Sequence, residues 1–158
     1  MAIFPKPSAD NRYLVDHVTL IRRSFKHWTG QDLVDPRLSD RSAAQVVFEA
    51  PFLLLSHNGA PDPIYTYGNQ TALQLFAMGW AELTSMPSRL SAPPENRDDR
   101  HSLLATVNRQ GFIDNYSGIR IAKTQQKFRL ENVIVWNLLD AQGQYCGQAA
   151  KCDRWVFL

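Results

Sequence analysis

The sequence predicts an α+β fold in which an antiparallel sheet of about five strands carries short helices on one face and two further helices at its N-terminal end. Three observations predict it. A short alternating segment, Ile64-Tyr65-Thr66-Tyr67, breaks at Gly68-Asn69 into the amphipathic run Ala72-Leu73-Gln74-Leu75-Phe76, the pattern of a strand passing into a helix. A helical stretch over residues 69–110 separates two short apolar strands from three long ones. The long segments, residues 112–122, 127–139 and 145–157, include Asp140-Ala141-Gln142-Gly143, which has the chemistry of a hairpin turn.

The first helix is predicted by Leu14, Val18, Ile21, Phe25 and Trp28, which recur at steps of four and three and make one apolar stripe. Arg22, Arg23, Lys26 and His27 crowd its last turns, where cations meet the negative end of the helix dipole, and Gly30 supplies a left-handed stop. A second helix begins after Ser39 or Asp40, carries Ala43, Ala44, Val47 and Phe48, and stops before Pro51. A stripe of large apolar residues needs cover, from the outer face of the sheet or from another copy of the chain. A homodimer through the N-terminal helices is therefore one expectation.

Residues 52–57 read as a buried strand stopped by Asn58-Gly59, and residues 64–67 as a shorter one. Asn69 caps the helix that follows, which buries Ala72, Leu73, Leu75 and Phe76 and is expected to end at Gly79. Pro87, Pro93 and Pro94 break residues 80–94 into short turns. The next helix opens on acidic Glu95, Asp98 and Asp99, packs through Leu103, Leu104 and Val107, and ends at Gly111. Parity along residues 127–139 places Phe128, Leu130, Ile134, Trp136 and Leu138 on one face and Arg129, Glu131, Val133, Val135 and Asn137 on the other. Both faces are expected to be covered near residues 133–136. The turn Lys123-Thr124-Gln125-Gln126 lacks the glycine such turns often use. The expected division is an N-terminal helical extension over 1–46 and a sheet domain over 47–158.

With 158 residues and 44% hydrophobic content, the chain can bury one core without metal or disulfide support. Seventeen basic and 15 acidic residues give a net charge of +2, so no whole-molecule field draws it to nucleic acid or an anionic membrane. Cys146 and Cys152 stand six positions apart on one expected strand, roughly 20 Å at the strand rise, too far to bridge. The start, Met1-Ala2-Ile3-Phe4-Pro5, is expected to be frayed. It has no apolar core of signal-peptide length, and no run is apolar enough to span a bilayer, so a reduced, cytoplasmic setting is expected.

Several blocks carry a family likeness: Tyr67-Gly68-Asn69 with Ala72-Leu73 and Leu75-Phe76, Trp80, and Pro87-Ser88-Arg89-Leu90-Ser91-Ala92. Further on stand Gly111-Phe112-Ile113, Asn115-Tyr116-Ser117-Gly118-Ile119-Arg120-Ile121, Val135-Trp136-Asn137-Leu138 and Gly147-Gln148-Ala149-Ala150. In this order, from about Val47 to the carboxyl terminus, they resemble the MEKHLA family, a PAS-like group found alone in bacteria and at the carboxyl end of plant homeodomain-leucine-zipper regulators. The resemblance implies a PAS-like sheet and helices closing a cavity of small-molecule size. The hexapeptide that names the family is absent, and no homeodomain or zipper precedes the blocks, so transcriptional control is not implied.

The candidate cavity lining is Tyr67, Phe76, Trp80, Arg89, His101, Arg120, Trp136, Asn137 and Gln148. Arg89 and Arg120 could aim guanidinium groups at a ligand carboxylate or clamp backbone carbonyls. Asn137 and Gln148 face the same choice between a ligand and cross-strand hydrogen bonds. The aromatic residues could stack on a planar ligand, although aromatics are first of all core fillers. His101 occupies the region from which some haem-binding PAS sensors ligate iron, but one helical histidine beside Arg100 and Ser102 fits a solvated role better. Flavin photosensors of this broad fold use a reactive cysteine on a cavity helix, whereas both cysteines here fall in the last strand, which argues against adduct photochemistry. The cofactor stays open, and no metal site is expected.

No phosphate loop, nucleophile elbow, HExxH or CxxC occurs. The expected function is a non-catalytic sensory, ligand-binding or protein-interaction module, regulatory in role, with a small-molecule ligand as one partner and no direct contact with nucleic acid or membrane. The alternatives are a small cone-shaped α+β enzyme, an isomerase or dehydratase using His57 or His101, and a structural dimerisation module. The helical stretch interrupting the strands favours the first over the enzyme.

Overall fold

The computed structural model describes residues 4–158; the first three residues of the expected frayed start lie outside them. An opening 3-10 turn ends in Arg12, Tyr13 and Leu14, all left-handed with φ of 56°, 55° and 55°. Helix α1 (Val15–Thr29) follows, so Leu14 precedes the helix whose stripe it was expected to share. Gly30, at φ 73°, stops α1 and donates its N–H to the Lys26 carbonyl. Helix α2 (Asp40–Glu49) is capped by the Ser39 hydroxyl, which accepts from the Ser42 N–H.

Strands β1 (Leu53–Asn58) and β2 (Tyr65–Gly68) precede helices α3 (Gln70–Phe76), α4 (Trp80–Leu83) and α5 (Arg97–Gln110). Strands β3 (Phe112–Ile121), β4 (Lys127–Leu139), β5 (Tyr145–Cys152) and β6 (Arg154–Phe157) complete the sheet. Its order is β2-β1-β5-β4-β3, antiparallel throughout, with β6 also paired to β4.

Asn69 is the joint of the first half. Fully buried, its Oδ1 accepts from the N–H groups of Ala72 and Leu54, both at 3.1 Å, and its Nδ2 donates to the carbonyls of Phe52 (2.7 Å) and Val47 (3.1 Å). One side chain therefore caps α3 and ties it to β1 and the end of α2, with its hydrogen-bonding capacity filled. A Cβ on the preceding Gly68 would collide with Leu83. The Tyr-Gly-Asn block is thus a packing and capping device.

The apolar stripe of α1 lies on the sheet. Val18 and Ile21 are fully buried, and Phe25 meets Trp136 edge-on at 4.8 Å. Helix α5 covers the opposite face, since Asn137, the neighbour of Trp136, donates through Nδ2 to the carbonyls of Val107 (3.1 Å) and Asn108 (3.2 Å). Both faces of β4 are covered around Val133, Val135 and Trp136, as expected.

Three expectations need correction. Parity does not run unbroken through β4: Asn132 is left-handed at φ 54°, and Leu130, Val133 and Val135 line the same cavity. Phe128 and Leu130 therefore face the α5 side, whereas Trp136 faces α1. Asn115, at φ 59°, makes the matching break in β3, where the register shifts between Ile113 and Tyr116. The last expected strand is broken at Asp153. Helix α3 ends at Ala77, left-handed at φ 55°, and Gly79 instead precedes α4 as its cap. In the glycine-free turn, Gln125 takes the left-handed position at φ 74°.

Candidate functional site

The sheet's inner face and α5 enclose a cavity of about 50 Å³. Its apolar wall comes from β1, β4, β5 and α5, including Leu55, Leu103, Val133 and Val135. Its polar wall is His57, Tyr65, Arg100, Tyr116, Arg120 and Gln148, with Ser56 at the edge. Ligand pockets span roughly 300 Å³ or more, so this interior is mostly filled by side chains. A haem or a flavin ring does not fit it, and neither Cys146 nor Cys152 is on its wall.

The wall is cationic. Arg100 and Arg120 are each 7% exposed, and among the described residues neither forms an ion pair. Arg120 donates to its neighbour's carbonyl at Ile119 (2.8 Å) and lies over the Tyr116 ring at 5.8 Å. Burial pushes the Arg100 guanidinium below its ordinary range; the charge of Arg120 adds to this, and Tyr65 opposes it. The Tyr65 hydroxyl is shared with Ser91 at 2.7 Å, and the Tyr116 hydroxyl donates to Asp99 at 2.9 Å.

His57, 5% exposed, completes the wall. Burial lowers its pKa to about 4. Its Nδ1 lies 2.8 Å from the Asn58 carbonyl, which only accepts, so Nδ1 carries the proton and Nε2 presents a lone pair. That Nε2 has no partner, and of the four such buried side-chain atoms among the described residues it alone belongs to the cavity wall.

The nine residues proposed from sequence fall in four places. Arg120 and Gln148 line the cavity. Gln148 is also a tie, donating through Nε2 to the Leu104 carbonyl and to Asn137 Oδ1, both at 3.1 Å. Asn137 acts beside it by holding the end of α5. Phe76 packs on Phe128 at 5.2 Å, Trp136 packs under α1, and Tyr67 and Trp80 meet edge-on at 5.7 Å, all outside the cavity wall. Arg89 and His101 are exposed, Arg89 in an ion pair with Asp62 at 3.1 Å.

Sequence reasoning missed Arg100, Tyr65 and Tyr116 as cavity residues, and named His57 only for the enzyme alternative. A signal existed for Arg100: it stands at the head of the series Arg100, Leu103, Leu104, Val107, whose spacing is that of the buried face of α5. An arginine on an apolar stripe points inward.

A second polar cluster lies under α1. His17 Nε2 is 2.9 Å from Ser56 Oγ, which is 2.8 Å from Thr66 Oγ1. Burial lowers the His17 pKa to about 4. Ser56 is 1% exposed, so this histidine–hydroxyl pair has no room for a substrate.

The MEKHLA domain family matches residues 15–157, a span that takes in α1 and α2 as well as the sheet. The homeobox-leucine zipper protein HOX29 of Oryza sativa subsp. indica is 21% identical over 141 residues, which are 87% of this chain and 16% of that protein. Its counterpart from subsp. japonica gives the same figures. Among solved structures, a PAS domain from Colwellia psychrerythraea superposes with a TM-score of 0.62 at 13% identity, covering 72% of this chain and 95% of that one. A light-oxygen-voltage domain studied with a flavin analogue gives 0.59 at 15% identity, covering 74% and 84%. These likenesses establish a PAS-like α+β fold. Among the described residues no helix is long and apolar enough to cross a membrane.

Proposed function

The chain belongs to the MEKHLA domain family, and from that premise we propose that it is a non-catalytic sensory or interaction module in which the state of the interior beneath α5 is passed through the sheet to α1. The observation that carries this reading is the double role of Asn137. Its side chain holds the last carbonyls of α5, and its own carbonyl accepts from Trp28 Nε1 of α1 at 2.9 Å. The Trp28 ring also lies where a Cβ on Gly111, the residue ending α5, would sit. A shift of α5 therefore displaces the indole directly, by contact and by hydrogen bond.

The enzyme reading has less support. His57 faces guanidinium groups rather than an acid, and His101 is exposed on α5. A homodimer through the N-terminal helices would have to use their outward faces, because the apolar stripe of α1 is covered by its own sheet.

The test is Leu103→Ala, which enlarges the cavity from the α5 side. The indole N–H resonance of Trp28 should move, while Leu83→Ala, a comparable truncation in α4, should leave it in place. A Trp28 resonance indifferent to both contradicts the proposal.

A further inference from the structure

Two buried arginines on one cavity wall, with no acid between them, call for an anion. A guanidinium stays protonated in any protein setting, and leaving it unpaired in a low-dielectric interior is costly. The carboxylate tied to this wall is Asp99, which is exposed and engaged by the Tyr116 hydroxyl. The hydroxyls of Tyr65 and Tyr116 are neutral, and Gln148 directs its Nε2 to Leu104 and Asn137. The remaining wall group is His57, whose proton sits on Nδ1 and whose Nε2 lone pair is unpartnered. The cavity thus offers planar cationic forks beside two acceptors, His57 Nε2 and the Gln148 side-chain oxygen.

We propose that this cavity binds a small hydroxycarboxylate, its carboxylate held between Arg100 and Arg120 and its hydroxyl donating to His57 Nε2. Carboxylates match the guanidinium fork by accepting two parallel hydrogen bonds, which a spherical anion cannot do. A space of about 50 Å³ is tight even for a two-carbon acid such as glycolate, and a larger acid requires α5 to move. Tyr116 is the polar wall residue most open to solvent and marks the way in. The assignment names a ligand class for the sensory module and rests on that reading for its purpose, while the binding is tested apart from it.

The experiment titrates the full chain with glycolate, acetate or chloride at constant ionic strength, in a buffer free of other carboxylates, following the Arg100 and Arg120 Nε–H and His57 ring resonances. Glycolate should shift them saturably and raise Tm by about 3 °C at ten times its Kd. Acetate, lacking the hydroxyl, should bind about fivefold more weakly, and chloride should leave the resonances in place. Arg120→Gln, checked for folding by circular dichroism, should lower glycolate affinity at least about tenfold; Arg89→Gln should bind as wild type. The wild-type resonances decide the matter even if the variant does not fold. No saturable shift with glycolate, an equal response to chloride, or unchanged affinity in folded Arg120→Gln overturns the site. Glycolate binding with a motionless Trp28 indole keeps the site and removes the sensory reading; a Trp28 response to Leu103→Ala without glycolate binding does the reverse.

Discussion

The two faces of the sheet bury polar groups in opposite ways. Under α1, His17, Ser56 and Thr66 satisfy one another and carry no net charge. Under α5, Arg100 and Arg120 lack an acid and His57 Nε2 lacks a partner. Burial depresses both imidazoles to about 4, so the perturbed titration does not separate the faces. Unpaired buried charge does, because Trp136 Nε1 under α1 also lacks a partner but is neutral. A satisfied buried network holds a fold together, whereas an unsatisfied cationic one is a place for something else to bind.

That contrast breaks if satisfied groups prove dispensable. Asn69→Ala removes four hydrogen bonds and orphans buried backbone groups of β1, α2 and α3, and should cost about 4 kcal/mol in urea unfolding. A loss below about 1 kcal/mol would mean that the joint at Asn69 is not formed.

Acid titrates one buried histidine on each face. Each histidine is neutral in the fold down to about pH 4, while the unfolded chain takes up the proton near 6.5. Their stabilisation is complete above 6.5 and is lost as pH falls towards 4, because the unfolded state binds more protons in that window. At pH 5 the loss should be about 2 kcal/mol for His57 and less for half-buried His17. His57→Gln should flatten the curve more than His17→Gln.

Within the cavity, Arg100→Met exchanges an unpaired buried charge for an apolar side chain of similar length. In anion-free buffer it should raise stability by about 1 kcal/mol, the opposite sign to a change in a satisfied network. The smallest effect is far from both faces: Ala77→Gly relieves a left-handed alanine at the end of α3 and should add about 0.5 kcal/mol.

Local signals carried much of the fold. The stops at Gly30 and Gly111, the caps at Ser39 and Asn69 and the hairpin at Asp140–Gly143 stand where residue chemistry predicts them. The breaks at Asn115 and Asn132 escaped, because an asparagine that turns left-handed looks like any polar strand residue until its neighbours fix the register. Ala77 escaped for a related reason: tertiary packing forced a stop on a good helix former. The cavity was legible only in part, through Arg120 and Gln148, since the aromatic residues fill the core and Arg100 hid in the charged run Arg97-Asp98-Asp99-Arg100-His101.

A crystal structure of the full chain grown with glycolate tests the central contrast most directly. Density is expected for a planar carboxylate contacting Arg100 and Arg120, its hydroxyl oxygen beside His57 Nε2, with the His17–Ser56–Thr66 chain unchanged. A cavity containing water alone, or Asp99 turned inward to pair with either arginine, would contradict it.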